Sequence, residues 1–92
     1  MDLKVDFNKL TTKDEAYNAV KQAITPEMLA KFQVKADLTY NKDEILATGK
    51  GFKLAMRFDE TCCMVSVDLS FLLKAFKGKI IAGLEKQLKR VI

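Results

Sequence analysis

The sequence predicts an α+β fold: a two-layer sandwich of five mainly antiparallel strands with two helices on one sheet face, in the order β-α-β-β-β-β-α. Apolar and polar residues alternate in five short runs, as they do in strands that bury one face. Two longer stretches repeat apolar residues every three or four positions, as amphipathic helices do. The length of 92 residues fits a single α+β domain over residues 1–92.

The five strands are predicted from this alternation over 2–8, 32–40, 44–48, 52–58 and 61–69. The connections between the last four are short and polar, which predicts an antiparallel meander. We expect the first strand to lie antiparallel beside the fifth, so that the first helix carries the chain across the sheet. Both helices then cover the same face, in a layout similar to a reduced helix-grip fold.

The first helix is expected to begin after Thr12, where Glu15 completes a capping box with the threonine. Thr25 precedes Pro26, and a proline interrupts a helix because the residue before it avoids helical backbone angles. We therefore predict a break at residue 25, followed by a short helical piece through Lys31 that Thr25 caps.

The last helix is predicted over about 72–91, with Ser70 as its N-cap. Gly78 and Gly83 lower its intrinsic stability, and we expect them to allow close packing near the sheet. Its apolar residues form one stripe at helical spacing: Leu73, Phe76, Ile80, Leu84, Leu88 and Val91.

The positive charge of the chain is concentrated in this last helix. The net charge is +4, and residues 70–92 alone carry six basic residues against one acidic residue. The candidate binding surface consists of Lys74, Lys77, Lys79, Lys86, Lys89 and Arg90. These residues form either an ordinary solvated helix face or a surface for an anionic, amphiphilic or nucleic-acid partner. Nucleic acid is the least expected partner, because the sequence shows neither a helix-turn-helix nor an aromatic-rich strand.

The uncovered face of the sheet carries a second candidate surface. Leu46, Ala55 and Met64 fall at its outward-facing positions, among charged residues. They are either scattered exposed apolar residues or a patch that contacts a partner protein or a second copy of the chain in a homodimer.

Catalytic and metal-binding motifs are missing from the sequence. There is no histidine, which most nucleophile–base pairs require. The Gly49–Gly51 turn lacks the spacing of a phosphate-binding loop, and the acidic pairs at 43–44 and 59–60 lie in predicted turns. Two adjacent cysteines cannot complete a zinc site. We therefore expect a protein that is not an enzyme, with no catalytic residues, no metal and no cofactor.

Cys62 and Cys63 are neighbours on a predicted strand, so their side chains point to opposite faces and are poorly placed for a disulfide with each other. We expect one buried thiol and one partly exposed thiol. A secreted domain of this size would carry more cysteines at wider spacing, so a reducing, cytoplasmic location is expected. The first residues alternate apolar and charged side chains, unlike a signal peptide, and no apolar run is long enough for a transmembrane helix.

The run from Val67 to Ile80, VDLSFLLKAFKGKI, resembles the C-terminal signature of the polyhydroxyalkanoic acid system family of small bacterial proteins. The Gly49–Lys53 turn and the Thr-capped first helix are similar as well, so the resemblance extends over nearly the whole chain. Ala75 departs from the pattern, since the family commonly has proline there to open the helix. The resemblance implies an accessory role at polyhydroxyalkanoate granules, on the polymer surface or on another granule protein, and it supplies no catalytic residues.

Two other functions remain open from the sequence. A curved sheet gripped by helices can enclose a cavity, here lined by Phe32, Phe52, Phe58 and Phe76, which would hold a small hydrophobic ligand. In a chain of this size the same rings can equally fill a solid core. The lysine-rich last helix could instead bind nucleic acid, with an affinity that falls steeply with salt concentration.

Overall fold

The structure is a computed structural model that describes residues 2–31 and 35–92. The strands are β1 (Leu3–Asp6), β2 (Asp37–Asn41), β3 (Glu44–Gly49), β4 (Phe52–Phe58) and β5 (Cys62–Leu69). The helices are α1 (Lys13–Ala23), α2 (Pro26–Ala30) and α3 (Lys77–Val91), and a 3₁₀ helix, Phe71–Phe76, precedes α3. The fold is α+β, as predicted from the sequence.

The five strands form one antiparallel sheet in the order β1-β5-β4-β3-β2. The predicted meander from β2 to β5 is confirmed. The predicted place of β1 beside β5 is also confirmed, and Leu3 lies opposite Val65. β1 and β2 are therefore the two edge strands, and α1 and α2 carry the chain from one edge of the sheet to the other.

The strand boundaries differ from the prediction mainly at the sheet edges. β4 matches the predicted 52–58. β1 ends at Asp6, because the amides of residues 8–10 donate instead to the carbonyl oxygen of Ile92, at 2.6, 2.8 and 3.2 Å. β2 begins later than predicted, and the predicted strand residues 32–34 lie outside the described residues.

The core lies between the sheet and the helices. Along β4 every second residue is buried, starting with Phe52, whereas Lys53 and Arg57 on the other face are exposed. The described helices bury their apolar stripes in this same core, so they cover a single face of the sheet. The buried residues that the helices and their caps contribute are Ala16, Val20, Ile24, Met28, Leu29, Ile80, Leu84, Leu88 and Ile92.

Threonine caps begin the first two helices, as predicted. Thr12 Oγ1 accepts a hydrogen bond from the Glu15 amide at 3.2 Å, and the Thr12 hydroxyl donates to the Glu15 carboxylate at 2.9 Å. The hydrogen bond from the Thr12 side chain lowers the pKa of Glu15. Thr25 Oγ1 accepts from the Met28 amide at 3.1 Å, and Pro26 lies in the first turn of α2. The predicted break at residue 25 is therefore confirmed.

The predicted start of the last helix, at about residue 72, is wrong. The α-helical backbone begins only at Lys77, and residues 71–76 wind as a 3₁₀ helix with bonds between residues three apart, such as Leu73 N to Ser70 O at 2.9 Å. Ser70 occupies the N-cap position, but its side chain makes no capping hydrogen bond. Phe76, which the prediction placed in the buried stripe, is 42% exposed. The stripe that α3 buries consists of Ile80, Leu84, Leu88 and, half-buried, Val91.

Gly78 does not serve the close packing predicted for it. A Cβ atom at this position would meet nothing within 4 Å. The absence of a side chain matters instead at Gly49, where a Cβ atom would overlap the backbone carbonyl oxygen of Lys35. Gly49 therefore allows the chain that leads into β2 to approach the end of β3 closely.

Candidate functional site

The chain leaves β5 through the 3₁₀ segment, called here the Phe71–Phe76 turn, which is held against the turn between β3 and β4. The Ser70 amide donates to the Gly51 carbonyl oxygen at 2.8 Å. Gly51 has a φ of 73°, and a Cβ atom there would lie 2.7 Å from Ser70 Oγ, so glycine permits this close approach. Leu73 is half-buried beside the same glycine. The Phe71–Phe76 turn is therefore fixed to the body of the protein.

The Phe71–Phe76 turn exposes large apolar side chains to solvent. Phe71 is 86% exposed and Leu72 is 84% exposed, and Phe76 is 42% exposed. Single exposed hydrophobic residues are ordinary on protein surfaces. Two adjacent ones that each keep more than four-fifths of their area in water form a contiguous apolar patch, which makes them a candidate contact surface.

The winding of the turn explains this exposure. In a 3₁₀ helix successive side chains point about a third of a turn apart. Because Leu73 turns towards the core, Phe71 and Leu72 point away from it. Sequence reasoning missed both residues by extending the α-helical stripe backwards to Leu73. The signal that could have found them is the run of three apolar residues, since one helix face cannot hold all three.

Lysines follow the exposed apolar residues closely along the chain. Lys74 lies within the turn, and Lys77 and Lys79 lie in the first turn of α3, which contains no acidic residue. Lys77 Nζ lies 2.9 Å from Asp2 Oδ1. Asp2 Oδ2 accepts a hydrogen bond from the Val67 amide at 2.8 Å, and this bond, together with Lys77, lowers the pKa of Asp2. The N-terminal end of the α3 dipole adds to the positive potential at this site.

The predicted basic surface divides into two groups at opposite ends of α3. Lys74, Lys77 and Lys79 lie at its start, and Lys86, Lys89 and Arg90 lie at its end. A helix of this length spans about 20 Å, so one small ligand cannot contact both groups. The second group is partly compensated, because Lys89 Nζ lies 3.6 Å from Glu85 Oε2. Only the first group lies beside exposed apolar side chains.

The predicted patch on the outer sheet face is brought together in part. Leu46 lies directly opposite Ala55, whereas Met64 lies opposite Arg57 in the neighbouring row. All three patch residues are half-buried. The apolar side chains of this sheet face are therefore less exposed to solvent than those of Phe71 and Leu72.

Both cysteines are buried free thiols, so the predicted partly exposed thiol is wrong. Cys62 is the first residue of β5, between the β1 edge and a tight turn in which the Asp59 amide donates to the Cys62 carbonyl at 2.9 Å. Burial raises the pKa of Cys63 to about 12, which keeps this thiol protonated. In the part of the chain that the structure describes, no group of three or more histidine, cysteine, aspartate or glutamate side chains is placed to hold a metal ion.

Three of the four aromatic residues predicted to line a ligand cavity lie within the described residues, and these three differ in exposure. Phe52 and Phe58 are buried in the core, Phe76 is partly exposed in the turn, and Phe32 lies outside the described residues. An open depression of about 500 Å³ lies beside Phe58. Charged side chains dominate its lining: Lys13, Lys42, Asp43, Glu44, Arg57 and Asp59. This lining does not suit an apolar ligand.

A comparison with protein families gives a match that covers most of the chain. The family model of polyhydroxyalkanoic acid system proteins matches residues 8–92. The chain belongs to this family. Comparisons with curated proteins and with solved structures give no significant match.

Membership of the polyhydroxyalkanoic acid system family confirms the resemblance predicted from the sequence. The match includes the Phe71–Phe76 turn and all of α3, so the exposed apolar residues and both lysine groups lie within the family region. Within residues 2–31 and 35–92, no helix of this polyhydroxyalkanoic acid system protein is long and apolar enough to cross a bilayer.

Proposed function

We propose that this polyhydroxyalkanoic acid system protein is a non-enzymatic accessory protein that binds the surface of polyhydroxyalkanoate granules through the Phe71–Phe76 turn. The observation that carries the proposal is the exposure of Phe71 and Leu72, at 86% and 84%. The family match supplies the biological setting. The turn would contact the polymer while the sheet and the other helices remain in water.

The physical basis is the transfer of these two side chains from water to an apolar surface. A polyester granule presents hydrocarbon and ester groups, with which Phe71 and Leu72 can make contact. Burying a phenylalanine or leucine side chain contributes about 1.5–3 kcal/mol each. The hydrogen bond from Ser70 to Gly51 and the 3₁₀ bond from Leu73 to Ser70 already order the start of the turn, so less conformational entropy is lost on binding.

The chemistry of the chain supports a binding role over catalysis. The sequence has no histidine. The Cys63 thiol, which could act as a nucleophile in another setting, is fully buried and protonated at neutral pH. The groups that this protein presents to a partner are instead exposed apolar side chains and lysines.

The proposal is tested by sedimentation with amorphous polyhydroxyalkanoate particles that carry no other protein. We expect the wild-type protein to sediment with the particles. The double variant Phe71→Ser/Leu72→Ser is expected to bind at least about tenfold more weakly, because it loses two apolar contacts. Circular dichroism of the double variant should match that of wild type, since both side chains are exposed in the folded state.

Tyr40→Ser provides a matched control. Tyr40 is another large exposed aromatic residue, at 42%, and it lies on edge strand β2 rather than in the turn. Its substitution should leave particle binding unchanged. The proposal fails if the double variant binds as tightly as wild type, or if wild type is retained no better than an unrelated basic protein. Binding to native granules but not to protein-free particles would mean that the partner is a granule protein.

A further inference from the structure

We propose that the Phe71–Phe76 turn selects an anionic phospholipid interface, inserting Phe71 and Leu72 among the acyl chains while neighbouring lysines contact the lipid phosphates. This inference rests on the proposed function, because it names the chemistry of the surface that the same turn binds. It goes further because it states that negative charge on the surface strengthens binding, through lysines for which an uncharged polyester supplies no anionic group.

The arrangement of side chains within the turn supports this partner. Residues three apart follow one edge of a 3₁₀ helix. Phe71 and Lys74 therefore lie along one edge of the 3₁₀ helix, with Leu72 on the next. Lys77, the first residue of α3, follows them in the chain. Apolar side chains next to basic ones are the arrangement with which interfacial segments insert below the headgroups and contact the phosphates.

The charge balance at this site also favours an anionic surface. From Ser70 to Leu84 the sequence contains lysines and no acidic residue. Lys77 is paired with Asp2, whereas Lys74 and Lys79 form no ion pair among the described residues. Each lysine near an anionic leaflet contributes about 1 kcal/mol, which is about fivefold in binding.

The two kinds of side chain together discriminate between partners. Nucleic acid could contact the lysines through its phosphates, but Leu72 would remain exposed, since an aliphatic side chain does not stack on bases as aromatic rings do. A neutral polyester could contact Phe71 and Leu72 but would offer no anionic group to the lysine ammonium groups. An anionic amphiphilic interface can contact the apolar side chains and the lysines at the same time.

The test measures binding of the full chain to vesicles of phosphatidylcholine and to vesicles that also contain phosphatidylglycerol. We expect wild type to bind the anionic vesicles at least about tenfold more tightly at low salt, and the preference to shrink as salt screens the lysines. The variant Lys74→Glu/Lys79→Glu should lose at least about twentyfold in affinity for the anionic vesicles.

Lys86→Glu/Arg90→Glu is the matched control, because it changes the net charge equally at the far end of α3. It should lose far less affinity than the variant near the turn. Equal binding of wild type to both vesicle types would overturn the inference, and so would an equal loss in the two charge variants. If wild type still binds protein-free polymer particles through Phe71 and Leu72, only the lipid inference has failed. If the Phe71→Ser/Leu72→Ser variant also binds the particles like wild type, the proposed function has failed as well.

Discussion

The Asp2 carboxylate lies 2.9 Å from the Lys77 ammonium group and also accepts the Val67 amide hydrogen bond at 2.8 Å. One side chain next to β1 therefore contacts both β5 and the first residue of α3. This contact holds the start of α3 directly behind the Phe71–Phe76 turn.

The Asp2 contacts predict a pH-dependent contribution to stability. The Val67 hydrogen bond and Lys77 lower the pKa of Asp2. Such a carboxylate stabilises the fold above its unfolded-state pKa of about 4, and this contribution is lost as the pH falls through the lower folded-state pKa. We expect Asp2→Asn to lower the thermal unfolding midpoint by a few degrees at neutral pH. The difference from wild type should shrink as the pH drops below about 4.

Circular dichroism melts over a series of pH values measure this difference. Asp6→Asn is the control, because the Asp6 side chain is 78% exposed and lies 3.9 Å from Lys4, in the range of a weak surface pair. A midpoint difference for Asp2→Asn that stays constant at acidic pH would contradict the prediction.

Two leucines of the last segment should differ sharply in their effect on stability. Leu84 is fully buried, so Leu84→Ala is expected to cost about 3 kcal/mol through lost burial and a residual cavity. Leu72 is 84% exposed, so Leu72→Ala is expected to change stability by no more than about 0.5 kcal/mol. Urea unfolding of both variants measures the two values. A large loss for Leu72→Ala would show that this residue packs in the core.

Substitutions at Gly49 and Gly78 should have opposite effects on stability. Gly49→Ala should destabilise the fold by about 1–3 kcal/mol, because the new Cβ overlaps the Lys35 carbonyl oxygen and forces the backbone to shift. Gly78→Ala should stabilise it by up to about 1 kcal/mol, since the site is open and alanine favours the helix. Chemical denaturation compares the two variants. Opposite signs are expected, and equal effects would argue against the close approach at Gly49.

The thiols should resist modification in the folded protein. Cys62 and Cys63 are both buried, and the Cys63 pKa of about 12 leaves almost no thiolate at pH 8. We expect a disulfide reagent such as Ellman's reagent to label neither thiol in the native protein, and to label both in urea. The variants Cys62→Ser and Cys63→Ser assign any signal to one residue. Rapid labelling of native Cys63 would refute its burial.

Local patterns in the sequence were sufficient to predict most of the fold. Strict alternation located β4 over Phe52–Phe58, and the threonine caps located the first two helices. These features depend on neighbouring residues, whose spacing is visible in a single sequence. The place of β1 beside β5 was also predicted, but no local pattern in the sequence dictates it, because the pairing joins distant segments.

The candidate site was harder to predict, because it depends on contacts between distant segments. An α-helix and a 3₁₀ helix place similar residues at similar spacing, so the apolar pattern of residues 71–76 does not distinguish them. The pairing of Lys77 with Asp2 joins residues that are far apart in the sequence. Likewise, Cys62 is buried although alternation along β5 places it on the face opposite Cys63.

The pairing of β1 with β5 has a consequence for synthesis of the protein. Leu3 and Val5 leave the ribosome early, yet their partners Val65 and Cys63 are translated much later. Until β5 emerges, the nascent chain cannot complete its sheet, and these two apolar residues remain without their native cover. Because the other three pairings join consecutive strands, closing this long loop is the step of sheet formation that costs the most chain entropy.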